Sequence, residues 1–161
     1  MAKEKTPVTP AVRALRAARV AFTRHPNADE EKGGTAVSAR ELGVDEHCVV
    51  KTLIMEDERK NPLIVLQHGD RQVSTKELAR VMGVKGVAPC APENALKHSG
   101  YLVGGTSPFG TRKEMPVYLE ETILELPRIY INGGKRGFLV GIDPKDVVRL
   151  LKPTLVRVGI P

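Results

Sequence analysis

The sequence predicts an α+β domain built on one mixed, largely antiparallel sheet with helices packed against it. Three observations carry this. Short apolar, β-branched runs at Cys48–Met55, Pro62–His68 and Phe138–Ile142 have the length and composition of buried strands. Stretches bounded by cap and breaker residues, such as Ser74-Thr75 to Gly83, have the signature of short helices. The two kinds of segment interleave along 161 residues, the length of one domain, and polar turns between adjacent strands predict hairpins. The expected organisation is therefore a single domain over 1–161, with the polar residues 1–6 frayed.

Taken in order, Thr6 reads as an N-cap and Pro7 as the first residue of a helix. Its apolar stripe is Val8, Val12 and Leu15, with Arg13, Arg16 and Arg19 elsewhere on its surface. Val20–Arg24 follows as a short strand, and 26–35 as a polar loop containing Gly33-Gly34. A helix over Ala36–Leu42 stops at Gly43. The strands Cys48–Met55 and Pro62–His68 are joined by the charged turn 57–61. Helices are expected from Ser74-Thr75 through Met82 and over Pro92–Ser99, and strands over Met115–Leu119 and Arg128–Asn132. The run 133–137 (GGKRG) reads as a tight basic turn before the strand Phe138–Ile142. Asp143-Pro144 starts a last helix through Leu151, and Leu155–Val158 reads as a terminal strand.

Composition narrows the function classes. With 41% hydrophobic and 27% charged residues the chain is neither disordered nor fibrous. No run of about 18 apolar residues exists for a membrane span, and the first ten residues lack the apolar stretch of a signal peptide. The expected compartment is the cytoplasm, with no membrane partner. Two cysteines, Cys48 and Cys90, do not make a disulfide framework. The four histidines are scattered without a paired spacing, so no metal site is expected. A net charge of +6 suits a polyanionic partner, although it also serves solubility. With aromatics at 4% and no Trp, a nucleic acid would be held by charge and shape and not on a stacking platform.

Three features could carry chemistry. Lys51 interrupts an otherwise apolar strand and shares its side with Val49 and Leu53. An ammonium there either reaches water along its stem or lines a cleft that receives an anion. Gly104-Gly105-Thr106-Ser107-Pro108 lies in the run GYLVGGTSPFG. Its glycines permit close backbone approach to a ligand, and its N–H groups could form an anion nest; a plain structural loop is the other reading. The run 133–137 fails as a P-loop: Ile129 stands where the first glycine is required, and Arg136 replaces Ser/Thr. Its Arg136-Gly137-Phe138 overlaps only part of an RNA-recognition signature. What remains is a turn with two cations, Lys135 and Arg136. No GxSxG elbow exists, and Cys48 reads as packed within its strand. Any ester cleavage would then rest on positioning, with the substrate supplying the nucleophile.

Together, Val50-Lys51-Thr52-Leu53, GYLVGGTSPFG at 100–110 and GGKRG at 133–137 resemble the YbaK/EbsC family of prolyl-tRNA-synthetase editing-like domains. The likeness runs from the Thr6-Pro7 region to about Leu151, and is greatest to the branch of free-standing Cys-tRNA(Pro) deacylases. It implies a twisted, barrel-like sheet flanked by helices, and removal of mischarged cysteine from tRNA(Pro) alongside prolyl-tRNA synthetase. It implies no metal or organic cofactor. The family's essential lysine maps onto Lys51, its adjacent threonine onto Thr52, and the glycine of its aminoacyl-binding loop onto Gly104. Gly105, Thr106, Ser107 and Pro108 complete that loop, and Asn132, Gly133, Gly134, Lys135 and Arg136 join the substrate-binding set. Two departures bear on amino-acid specificity. Pro26 and Asn27 follow His25 where the branch has a tyrosine, and Asn132 stands where it has serine. Sister readings are an editing enzyme for alanine or serine on tRNA and a non-catalytic tRNA- or synthetase-binding module. A generic DNA-binding protein has only the charge behind it.

Overall fold

A computed structural model describes residues 7–26 and 34–161. The segment 1–6 expected to fray, the expected Thr6 cap, Asn27 and most of the polar loop lie outside the described residues. The elements, in order, are α1 (Pro10–Ala17), β1 (Thr23–Pro26), α2 (Gly34–Leu42), β2 (Val49–Asp57), β3 (Pro62–His68), β4 (Gln72–Val73), α3 (Thr75–Met82), β5 (Val87–Pro89), α4 (Pro92–Ser99), β6 (Val117–Glu120), β7 (Ile129–Lys135), β8 (Phe138–Ile142), α5 (Pro144–Leu151), β9 (Thr154–Val156) and β10 (Gly159–Ile160). Short 3-10 turns at Glu46–Cys48 and Glu121–Glu125 precede β2 and follow β6.

Local signals explain most boundaries. Ser74 caps α3 by accepting from the Glu77 N–H, and Gly83 ends the helix in the left-handed conformation. Asp143 caps α5, with Pro144 at its first turn. Helix α1 begins three residues later than expected, because the Thr-Pro pair occurs twice. Thr9 is the cap, its Oγ1 accepting from the Val12 N–H, and Pro10 opens the helix. Val12 and Leu15 are fully buried as expected, whereas Val8, outside the helix, is 52% exposed. The following strand is Thr23–Pro26 and not Val20–Arg24. Val20 is drawn under the helix end, its N–H donating to the Leu15 carbonyl. Cys48 closes the 3-10 turn and does not lie in the strand. The first two glycines of GGKRG are not turn residues: β7 runs on through Lys135 with a register shift after Asn132, and only Arg136-Gly137 turns the chain.

Among the described residues, eight strands form one mixed sheet in the order β1-β8-β7-β2-β3-β6-β9, with β5 on β2; β4 and β10 pair separately. The hairpins β2–β3 and β7–β8 are antiparallel, as are β1–β8 and β2–β5. Parallel junctions join β2 to β7, β3 to β6 and β6 to β9. Strand β3 is buried on both faces, which is why its sequence is continuously apolar. Ile64 and Leu66 enter the main core with α1 and β6–β8, while Leu63 and Val65 enter a second core under α3. No helix among the described residues is long and apolar enough to cross a membrane.

One feature of the sheet positions the site. Strand β2 pairs with β3 along its length on one edge. On its other edge it meets β7 only at Val49 and Val50, and β5 only from Met55 to Asp57. Lys51 to Ile54 therefore face a gap in the sheet where β7 and β5 part.

Candidate functional site

That gap is a cavity of about 550 Å³. Its floor is Val49–Ile54 of β2. The start of α2, Pro89 at the end of β5 with Cys90 after it, loop residues Val103, Gly104 and Thr106, and 136–139 of the β7–β8 hairpin wall it in. Lys51 and Thr52 lie on this wall together with Gly104, Thr106, Asn132 and Arg136.

Lys51 is half-buried and forms no ion pair within 4 Å among the described residues. On its side of β2, Val49 belongs to a small core under α2 and Leu53 packs on the core under α3, so Lys51 stands between two covered patches. Partial burial pulls its ammonium below the usual lysine range, while the carboxylates of Glu46 and Asp70 act in the opposite direction. Glu46 is held by the Thr35 hydroxyl, which donates to its Oε2 at 2.7 Å. Next to Lys51, the Thr52 side chain lines the cavity, while its Oγ1 is shut off from solvent and has no hydrogen-bond partner among the described residues.

The two glycine motifs interlock. A Cβ on Gly105 would stand 2.7 Å from the Arg136 backbone nitrogen, and one on Gly133 would stand 2.5 Å from the Phe138 ring. Gly134, at φ +102°, leaves no room between Tyr101 and Thr9. The Arg136 guanidinium occupies the place of a Gly104 side chain, and Gly104 itself has φ +90°. The Thr9 hydroxyl donates to the Gly133 carbonyl, fastening the helix cap to the same strand. Tyr101, buried behind the loop, donates to the Phe109 carbonyl; burial pushes its phenol up to about 12.

These contacts sort the predicted residues. Gly105, Gly133 and Gly134 are close-approach positions behind the wall, and Lys135 is exposed beyond it. Ser107 is fully buried, its Oγ accepting from the Phe109 N–H, and Pro108 is buried beside it. The sequence reading missed Cys90, Val103, Leu139 and the start of α2, which reach the cavity only through tertiary packing. The β-breaking Pro89 is the one local signal near them. Burial, reinforced by Glu56, pushes the Cys90 thiol up to about 11, so near neutrality it is not a thiolate nucleophile.

A second polar cluster was also not foreseen. His47 and His68 stack at 3.6 Å between ring centroids, and His47 Nδ1 lies 2.9 Å from Asp70 Oδ1. Within it, His68 Nδ1 donates to the His47 carbonyl and its Nε2 accepts from the Thr122 hydroxyl, so both ring nitrogens are engaged. Among the described residues His47, His68 and Asp70 are the group close enough to share a metal ion. The stacked rings, with both nitrogens of His68 already bonded, fit a hydrogen-bonded brace under β2 better than a coordination sphere.

Comparison with known proteins agrees with this geometry. A candidate Cys-tRNA(Pro)/Cys-tRNA(Cys) deacylase, EbsC of Enterococcus faecalis, is 30% identical over 152 residues, covering 93% of each chain. The proline–tRNA ligase of Thermodesulfovibrio yellowstonii is 36% identical over 105 residues, 64% of this chain and 18% of that much longer one. In fold, the crystal structure of a candidate trans-editing enzyme for prolyl tRNA synthetase superposes with a TM-score of 0.82 at 21% identity, covering 96% of this chain and all of the other. The sequence profile described as the aminoacyl-tRNA editing domain matches residues 29–150, spanning both glycine motifs and Lys51, and the chain therefore belongs to the aminoacyl-tRNA editing domain family.

Proposed function

We propose that the whole chain is one editing domain that removes mischarged cysteine from tRNA(Pro), acting in the cytoplasm beside prolyl-tRNA synthetase. The observation that carries this reading is the gap along β2, where Lys51 and Thr52 share a cavity with Gly104. The likeness to a candidate Cys-tRNA deacylase and to a proline–tRNA ligase supports the choice of tRNA and amino acid.

In this mechanism the CCA end enters the cavity and the Lys51 ammonium holds its terminal phosphate or ribose. Among the described residues the Gly104 N–H donates to no backbone carbonyl, which suits it to bind the aminoacyl carbonyl oxygen. The Thr52 side chain borders the aminoacyl moiety in the same cavity. The cysteine thiol then attacks its own ester carbonyl: an S–C bond forms, the ester C–O bond breaks, and the thiol proton passes to the departing ribose oxygen. Free tRNA and a cyclic thioester leave, and water later opens the thioester. Orientation within the cavity replaces a protein nucleophile, consistent with the protonated state of Cys90.

The test is a panel of tRNA(Pro) charged with cysteine, alanine or serine, each followed for release of the amino acid. Cysteine is expected to be released fastest. Release of alanine or serine without cysteine would transfer the activity to a different mischarge. Binding of tRNA with no release from any substrate would make the chain a binding module.

A further inference from the structure

We infer that Asn132 is a positioning residue that locks the Gly104 peptide in place and does not itself bind the substrate; the inference rests on the deacylase reading above. Although Asn132 lines the cavity, its amide is saturated from within the protein. Its Oδ1 accepts from the Gly134 N–H at 2.7 Å and the Lys135 N–H at 3.1 Å. Its Nδ2 donates to the Lys135 carbonyl and the Gly104 carbonyl, each at 3.2 Å. A primary amide offers two donor hydrogens and two strong acceptor positions, and all four are used. The amide orientation is fixed by this pattern, because a flipped group would oppose its NH₂ to two N–H donors and its oxygen to two carbonyls.

What the side chain joins matters more than its own position. Three of its four bonds hold the bulge of β7, where the register shifts between Asn132 and Lys135. The fourth reaches across to the loop. The peptide linking Gly104 to Gly105 is thereby fixed at both ends: its carbonyl by Asn132, its N–H by the Leu102 carbonyl at 2.9 Å. The Gly104 N–H, which faces the aminoacyl ester in the mechanism above, belongs to the preceding Val103–Gly104 peptide and is joined to this held plane only through the φ and ψ of Gly104, so fixing the one plane narrows the directions open to that N–H. With φ at +90° and no side chain, Gly104 has little intrinsic preference to hold that direction unaided. Asn132 supplies the constraint from the hairpin, so the cavity wall is assembled from two motifs 28 residues apart in sequence.

Two readouts test this. The first needs no substrate: amide hydrogen exchange of the free protein, wild type against Asn132→Ala and Asn132→Asp. Faster exchange is expected at Gly134, Lys135 and Gly105 in Asn132→Ala, and at Gly105 alone in Asn132→Asp, whose carboxylate still accepts from the Gly134 and Lys135 N–H groups but cannot donate to the Gly104 carbonyl; β3 amides at Leu63–Leu66 stay protected as proof of an intact fold. The second is the steady-state rate of cysteine release as a function of Cys-tRNA(Pro) concentration. A fall in kcat on the order of 10- to 100-fold with little change in KM is expected from a misplaced peptide, and Asn132→Ser, which keeps one donor, should fall between wild type and Asn132→Ala. Unchanged exchange at the three amides of Asn132→Ala overturns the inference, as does a rise in KM alone, which would make Asn132 a substrate contact. If the wild type releases nothing from any charged tRNA, the deacylase reading fails while the exchange data still decide whether Asn132 is the brace.

Discussion

At the scale of single residues, the account turns on a cation whose charge is set by its surroundings. Burial favours the neutral amine of Lys51, and Glu46 and Asp70 oppose that, burial being the larger effect. The folded protein should therefore lose the Lys51 charge at a pH below that of an ordinary lysine. If the ammonium anchors the substrate, release of cysteine, corrected for spontaneous ester hydrolysis, should fall as pH rises through that point. Glu46→Gln removes one opposing carboxylate yet still accepts from the Thr35 hydroxyl. It should move this basic limb to lower pH, and Lys51→Arg should remove the limb altogether. A limb unmoved by Glu46→Gln would show that another group titrates. Lys51 was legible in the sequence because a lone charge in an apolar strand is conspicuous. Glu46 and Asp70 were not, since they come from flanking turns that approach it only in the folded chain.

At the scale of elements, the wall of the cavity is a joint between the 100–110 loop, the β7–β8 hairpin and the start of α1. Its fit depends on the absence of side chains. In Gly134→Ala a Cβ would meet Tyr101 Cε1 at 2.8 Å and Thr9 Cβ at 2.9 Å, at a φ unsuited to alanine. Strain and overpacking together should destabilise the fold by about 2–5 kcal/mol. For a chain of this size that lowers Tm by roughly 5–15 °C, measurable by calorimetry. A Tm within a degree of wild type would mean the joint is looser than its contacts indicate. Helices α3 and α4 and strands β3 and β8 match the segments expected from sequence, because each carries its own caps, breakers or continuous apolar run. The end of β7 does not: Gly133 and Gly134 have the composition of a turn, yet they form a bulge within the strand, held by Asn132 and by the packing of Phe138, Tyr101 and Thr9. The start of α1 was misplaced for a different reason, since two identical Thr-Pro pairs compete and the buried hydrogen bond from Thr9 to Gly133 decides between them.

At the scale of the molecule, the proposed active region is a split in a sheet. Strand β2 has full pairing on one edge and two partial partners on the other, and the open stretch between them holds Lys51 and Thr52. Hairpins are visible in sequence because their strands are neighbours. The junctions that seat β7 (parallel) and β5 (antiparallel) on β2 join segments tens of residues distant and leave no local trace. The motifs could thus be found one by one, whereas their meeting around one cavity required the fold. The central claim is that the Lys51 ammonium in this split orients an aminoacyl ester for cleavage. Its most direct test is single-turnover release of cysteine from Cys-tRNA(Pro) by wild type and by Lys51→Ala, with both proteins shown to be folded by circular dichroism. The account predicts rapid release by the wild type and a rate for Lys51→Ala no greater than that of the charged tRNA alone; equal rates for the two proteins would contradict it.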